Sequence, residues 1–356
     1  MSKIKLLDDE LINKIAAGEV IERGASIVKE LVENALDAGA DHITVEVEDG
    51  GLKLISVRDN GSGMSAEDAA LAIKRHATSK IRDEKDLFNI RTMGFRGEAL
   101  SSIVAVSDFT LMTKPQNAVE GSIISVPSDA TTPDISVWQG DSGTTIVVEN
   151  LFKKVPARRA FLKSPRVEFG YIHESIQAFA LARPDVSFTL KHQGKMVLQC
   201  ERSTSDSLSD GTEFDETTLR TRVSQLFGEE LASSLLYVTN TSQYGNVTLL
   251  TSAPGSEKTS TKFMFHFVNG RYVKDKVLRF GVLRGYHSHL LKGQYPICFC
   301  YLRCAPELVD VNVQPEKTEV RFQYSSELQS FISLSVRAAL REGRWAMPQE
   351  NAAADP

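Results

Sequence analysis

Ser26-Ile-Val-Lys-Glu30-Leu-Val-Glu-Asn34-Ala-Leu-Asp-Ala-Gly39 has the apolar spacing of an amphipathic helix, and Asp59-Asn-Gly61-Ser-Gly63 closes the strand-like run that follows. Val28, Leu31, Val32, Ala35 and Leu36 make the apolar stripe. Glu30 and Asn34 stand one turn apart and project from one face. A carboxylate there can polarise a water while the carboxamide holds a divalent cation beside it. The same two residues, with Glu33 and Asp37, also satisfy an ordinary solvated helix face, so the pair alone leaves both readings open. Ser26 is placed to cap this helix, and Gly39 suits a left-handed stop.

A length of 356 residues suggests two domains at ~100–200 residues each. A hydrophobic share of 42% with 24% charged residues fits a soluble globular protein. No apolar run approaches the ~18 residues that cross a bilayer, and no basic stretch followed by an apolar signal core opens the chain. The expectation is a cytosolic protein, nucleoid-associated in a bacterium, or a nuclear one if the source has a nucleus. Cys200, Cys298, Cys300 and Cys304 do not form a disulfide framework for this size; the last three share the parity of one strand face, as buried thiols do.

The alternation of helix-like and strand-like segments over the first ~200 residues is of α/β or α+β type. Helices are expected over Leu6 to Val20, from Ser26, over Ser65 to Arg75, from Glu98, and over Ser164 to Ala182. Strands are expected at 43–47 and 54–57, joined by an Asp49-Gly50-Gly51 turn, and at 107–113, 121–126 and 144–149. The stretch 203–216, polar and acidic, reads as a linker or long loop between a domain at 1–202 and a second at 217–343. The second is expected to hold helices near 219–228, 275–290 and 325–340, with strands at 235–239, 246–252, 263–268 and 296–303. Residues 344–356 read as the start of a disordered interdomain linker in a longer protein.

Three further segments add chemistry. Asp59, at a strand's end, can accept from an exocyclic amine, with Gly61 and Gly63 letting backbone pass close to a ring; a plain turn uses the same residues. Gly94-Phe95-Arg96-Gly97-Glu98-Ala99-Leu100 opens a helix whose first amides can hold an anion. Arg75-His-Ala-Thr78-Ser79-Lys80 is a basic, hydroxyl-rich turn suited to phosphates, or an ordinary exposed loop. There is no Gly-x-x-x-x-Gly-Lys-Ser/Thr, so a nucleotide here requires a fold other than the P-loop.

Asn13-Lys-Ile-Ala-Ala-Gly-Glu-Val20, Lys29-Glu-Leu-Val-Glu-Asn34, Arg58-Asp-Asn-Gly-Ser-Gly63, His76-Ala-Thr-Ser-Lys80 and Gly94-Phe-Arg-Gly-Glu-Ala-Leu100 resemble the MutL family of mismatch repair ATPases. The likeness continues through Pro156-Ala-Arg-Arg159, Val268-Asn-Gly-Arg271 and Val309-Asp-Val-Asn-Val-Gln-Pro-Glu-Lys317, and covers residues 4–340. It implies a GHKL ATPase domain, an α+β sandwich with a mixed sheet, followed by a smaller α+β transducer domain of the ribosomal-protein-like fold. It implies hydrolysis of ATP with Mg2+, rather than nuclease chemistry, for these residues. By the same likeness Glu30 is the general base, Asn34 the magnesium ligand and Asp59 the adenine reader. Ala38, Gly63, Met64 and Thr144 line the nucleotide. Thr78, Ser79, Lys80 and the stretch from Gly94, Phe95 and Arg96 through Gly97, Glu98, Ala99 and Leu100 wrap the phosphates. Lys317 would reach the γ-phosphate from the second domain, making the chain a slow switch. The resemblance further implies a homodimer on ATP binding through residues 2–20, sequence-independent DNA binding, a MutS-family mismatch recogniser, and a downstream endonuclease or helicase.

DNA binding has its own trace. Residues 261–295 hold Lys262, Arg271, Lys274, Lys276, Arg279, Arg284 and Lys292 against Asp275 alone, a net of +6 in a chain of formal net charge -5. A basic solvated helix face gives the same count. Arg271, Lys274 and Lys276 are the candidates, with Lys276 where relatives carry an arginine. Gly24, Gln314 and Val155 depart from the family pattern, and none of them touches Glu30, Asn34, Asp59 or Lys317. A pure binding module, a type II topoisomerase ATPase part and a histidine kinase are the rival readings; the Gly94-to-Leu100 stretch and the lysine-bearing second domain favour the MutL type.

Overall fold

The computed structural model describes residues 21–78, 97–127, 132–203, 214–310 and 319–342. The chain divides into two compact units between Leu226 and Phe227.

In the first unit, helix α1 (Gly24–Asp37) buries Ile27, Val28, Leu31, Val32, Ala35 and Leu36, the stripe expected from the spacing. It starts earlier than Ser26: Arg23 is the N-cap, and the Ser26 amide donates to the Arg23 carbonyl at 3.1 Å inside the first turn. The Arg23 side chain is engaged elsewhere, 3.5 Å from Glu168 and 4.6 Å above the Tyr171 ring. Gly39 ends the helix in the left-handed region, at φ 74°. Glu33 is buried and pairs with Lys29 at 3.9 Å, so the polar side of α1 is not a uniformly solvated face.

Strands β1 (His42–Glu48) and β2 (Leu54–Asp59) pair antiparallel across a 3-10 turn at Asp49–Gly51. Helix α2 (Ala66–Ala72), capped by Ser65 on the Asp68 amide, precedes α3 (Ala99–Val106). Then come β3 (Asp108–Lys114), β4 (Gly121–Val126), β5 (Asp134–Trp138) and β6 (Gly143–Glu149). Helices α4 (Pro156–Phe161) and α5 (Pro165–Ala182) lead into the hairpin β7 (Ser187–His192) and β8 (Lys195–Cys200). The eight strands form one sheet in the order β5-β4-β3-β6-β2-β1-β7-β8. Only β1 and β7 pair parallel, which makes the sheet mixed. Val45, Ile55, Leu111, Ile124, Val148 and Leu190 are wholly buried in its core, with Ile27, Val28 and Val32 of α1.

Strands β5, β7 and β8 go beyond the strands that the sequence predicts. Gln193 and Gly194 both take positive φ, 52° and 73°, as a two-residue hairpin between right-twisted strands requires. Strand β5 is exposed along almost its whole length, so no alternation of burial marks it.

Helix α6 (Glu216–Phe227) closes this unit. Residues 204–213 of the expected linker lie outside the described residues. Arg222, 2% exposed, donates to the Pro184 and Val186 carbonyls, both at 2.8 Å, which ties most of a helix expected in the second domain into the first.

The second unit contains α7 (Glu229–Ser234), β9 (Leu235–Ser242), β10 (Gly245–Ser252), β11 (Met264–Val268), β12 (Arg271–Val273), α8 (Lys276–Tyr286) and β13 (Cys298–Arg303). The short β14 (Val309–Asp310) and β15 (Arg321–Phe322) precede α9 (Ser325–Glu342). The sheet order is β12-β11-β13-β10-β9, with β11 and β13 parallel. Helices α8 and α9 pack closely, because a Cβ on Gly285 would stand 2.5 Å from Val336 Cβ. Leu278, Val282, Ile332 and Val336 share a core with Val247, Leu249, Cys298 and Cys300. All four cysteines are free thiols; Cys304 is only half-buried because it lies past the end of β13. No described helix is long and apolar enough to cross a membrane.

Candidate functional site

Glu30, Asn34 and Ala38 succeed one another at four-residue spacing along α1, the first two half-buried and the third its C-cap. The Ala38 carbonyl accepts the Ser62 amide at 2.9 Å, which docks the 59–63 loop on the end of the helix. That approach explains Gly61: a Cβ there would stand 2.9 Å from the Ala38 Cβ and carbonyl oxygen. Gly63, at φ 65°, would place a Cβ 2.1 Å from the Lys114 carbonyl. Both glycines are therefore required by backbone contact and not merely by a turn.

Asp59 ends β2 opposite Thr144 of β6. Burial pushes its carboxyl up from the usual carboxylate range, while the Gly61 amide, donating at 2.8 Å, and the Thr144 amide hold it down. Gly143 completes the floor, since a Cβ there would stand 2.2 Å from the Asp59 carbonyl. Asn60 faces the other way: its Oδ1 accepts the amides of Asp41 and His42 at 3.0 Å each, and its Nδ2 donates to Asp41.

Thr113 was not found from sequence. Its fully buried hydroxyl accepts the Met64 amide at 2.9 Å, donates to the Gly143 carbonyl at 3.2 Å, and lies 3.0 Å from the Thr144 hydroxyl. One O–H and two lone pairs serve all three if Thr144 is the donor of the last bond. A threonine in an alternating strand carries no local mark of this.

The second cluster joins two of the expected phosphate segments. A Cβ on Gly97, at φ 62°, would stand 2.8 Å from the Ala77 carbonyl and 3.1 Å from Thr78 Cβ, and His76 lies 3.6 Å from Glu98. Glu98 caps α3 through its backbone, leaving the first amides of the helix, from Ala99 and Leu100, without intrahelical acceptors. Helix α3 also touches α1. Ser79, Lys80, Gly94, Phe95, Arg96 and Lys317 lie outside the described residues, as do residues 2–20.

In the second unit Arg271 is half-buried on β12, and Lys274 and Lys276 are exposed on either side of Asp275. Asp275 is 7% exposed and accepts the Leu278 amide at 3.0 Å as the N-cap of α8. Its carboxylate thus serves the helix end, and the neighbouring cations project past it.

Residues 22–148 match the family described as histidine kinase-, DNA gyrase B-, and HSP90-like ATPase, and residues 223–341 match the one described as DNA mismatch repair protein, C-terminal domain. A DNA mismatch repair protein MutL of Citrifermentans bemidjiense is 41% identical over 344 residues, 97% of this chain and 51% of the relative. One of Syntrophotalea carbinolica is 44% identical over 341 residues, 96% and 52% of the two chains. The chain spans about half the length of the curated relatives it matches. The solved Aquifex aeolicus MutL ATPase domain complexed with ADP is 26% identical at a TM-score of 0.60, covering 81% of this chain and 94% of that one. The N-terminal domain of a DNA repair protein shares the fold at a TM-score of 0.77 and 23% identity, over 93% and 98% of the two chains. A mixed-sheet unit carrying the ATPase match, a second unit carrying the mismatch repair match, and identities above 40% over nearly the whole length make the chain a member of the MutL family of DNA mismatch repair proteins.

Proposed function

We propose that the first unit binds ATP and hydrolyses it slowly to ADP and phosphate, and that this cycle drives clamp closure on DNA during mismatch repair. The observation that carries the reading is the contact that brings the loop that begins at Asp59 against the end of the helix that bears Glu30 and Asn34. Asp59 would accept from the adenine amine, with Ala38, Gly63, Met64 and Thr144 around the ring. Glu30 would take a proton from the attacking water. The amides of Gly97 to Leu100 and the Thr78 hydroxyl would hold phosphate oxygens. The ADP complex of the Aquifex aeolicus relative supports a nucleotide in this unit.

The donor set also fits magnesium. A cation there would rest on Asn34, water and phosphate oxygens, an all-oxygen set that keeps several waters, as Mg2+ prefers. When bound, it would neutralise charge between the phosphates. Lys317 remains the resemblance-implied reporter of the γ-phosphate. Dimerisation through residues 2–20, contact with a MutS-family recogniser, and hand-over to an endonuclease or helicase complete the proposal, with DNA held through Arg271, Lys274 and Lys276.

Glu30→Ala should abolish turnover, at least a 100-fold fall in single-turnover hydrolysis with magnesium, while nucleotide binding survives. Normal hydrolysis by this variant would sink Glu30 as the base. A wild-type chain that binds nucleotide without any hydrolysis would favour the pure binding module.

A further inference from the structure

The geometry points to Phe280 as a base-stacking residue, which makes the outer face of α8 a grip for unpaired bases of a nucleic acid strand. Helix α8 turns Leu278, Gly281, Val282 and Gly285 inward, where Gly281 and Gly285 meet Ile332 and Val336 of α9. The opposite face carries Lys276, Phe280 and Arg284 at four-residue spacing, all exposed. Phe280 keeps 48% of its surface in contact with solvent at the middle of this face. The Arg279 guanidinium lies 5.5 Å from its ring centroid, on the same side of the helix as Lys276.

A phenyl ring exposed between cations is poorly explained by packing, because α8 already buries its apolar stripe on α9 and the sheet. Residues 276–295 contain no acid. The one acid that opens the helix, Asp275, is buried as its cap, and Glu319 is the acid whose field reaches that end. The face from Phe280 to Arg284 is thus cationic with an aromatic centre. Phosphates complement the cations, and a base complements the ring, since every base has a π-face and stacks without regard to sequence. In duplex DNA the bases are already stacked on one another, so the ring adds nothing there unless a pair opens. An acidic peptide would complement the charge and leave the ring without a planar partner.

This inference rests on the DNA-binding reading of the second unit and is separable from it. The test measures fluorescence anisotropy of a labelled single strand, and of the same strand annealed to its complement, with the 356-residue chain. Phe280→Ala should weaken single-strand binding roughly 5- to 100-fold, leave duplex binding within about twofold, and keep the slope of affinity against salt. Phe280→Trp should restore or exceed the original affinity. Arg284→Ala should weaken both substrates and lower the salt slope by about 1. Unchanged single-strand affinity in a folded Phe280→Ala, equal loss on both substrates, or displacement of the strand by poly-glutamate as effectively as by unlabelled DNA would overturn the stacking role. If the original chain binds neither nucleic acid, the DNA-binding reading itself fails.

Discussion

The two candidate surfaces are built by opposite means. In the first unit the site is a set of backbone approaches: Gly61 against Ala38, Gly63 against Lys114, Gly143 against Asp59, and Gly97 against Ala77, each too close for a side chain. In the second unit the candidate surface is a set of side chains projecting from a helix that is constrained only on its buried side, where Gly281 and Gly285 meet α9. A site of the first kind tolerates almost no change at fixed positions. A surface of the second kind depends on the sum of its charges and tolerates exchange among cations.

The sharpest way to break that contrast is Gly63→Ala. The new Cβ would meet the Lys114 carbonyl at 2.1 Å, and the residue would sit at a φ of 65°, where an L side chain is strained. A destabilisation of roughly 2–5 kcal/mol is expected, with loss of nucleotide binding in whatever fraction remains folded. Lys276→Arg, the mirror experiment on the second unit, should change neither stability nor DNA affinity by more than about twofold. Thermal melts and nucleotide titrations check the first variant. A Gly63→Ala chain with normal melting and normal nucleotide affinity would show that the loop is not fixed by the backbone contact.

How much of this could be read from the sequence follows the same division. Glu30, Asn34, Asp59, Gly61 and Gly63 were legible as a candidate set because they fall in two short stretches, and the close approaches at Gly61 and Gly63 leave no room for a Cβ. The basic stretch was legible only as a sum, which cannot distinguish Lys276 and Arg284 on the outer face from half-buried Arg271. Thr113 was not legible at all: its partners Met64 and Gly143 are 49 and 30 residues away, and only the sheet order places them together. Ser26 misled because capping preference is local, whereas the helix begins at Gly24 with Arg23 as its N-cap, the Arg23 side chain lying on Glu168 of α5. The helix expected near 219–228 was assigned to the second domain for a similar reason, since the carbonyls that hold its Arg222 belong to turns more than thirty residues earlier, at separations of 38 and 36.

A smaller effect separates the units by their response to acid. His266, on β11, is 3% exposed, lies opposite Cys300 in the sheet, and its Nε2 has no hydrogen-bond partner. Burial, helped by the Arg279 charge on α8, lowers its pKa to about 4. The unfolded chain takes up this proton near pH 6.5, so stability is fully present above that pH and falls as the pH drops toward 4. A loss of about 2 kcal/mol is expected between pH 7 and pH 5, read as a shift in the urea midpoint of the second unit. His266→Leu should flatten that dependence. An unchanged slope in this variant would mean that other groups govern the acid response.

The smallest expected effect falls on the first unit and asks whether its backbone contacts act alone. Thr113→Val keeps the shape of the side chain while removing the hydroxyl that joins Met64, Gly143 and Thr144. The Met64 amide would lose its acceptor, at a cost of about 1–2 kcal/mol. Gly61, Gly63 and Gly143 would remain in place, so the loop should keep its path and the ATPase unit its fold. If the glycine contacts suffice, nucleotide affinity falls by less than threefold or so. If the hydroxyl also sets the distance between the Asp59 loop and β6, affinity falls about tenfold or more with only that small loss of stability. Measuring ADP affinity and melting temperature on the same preparation distinguishes the two, and the second outcome would make Thr113 a positioning residue for the Asp59 end of the candidate site.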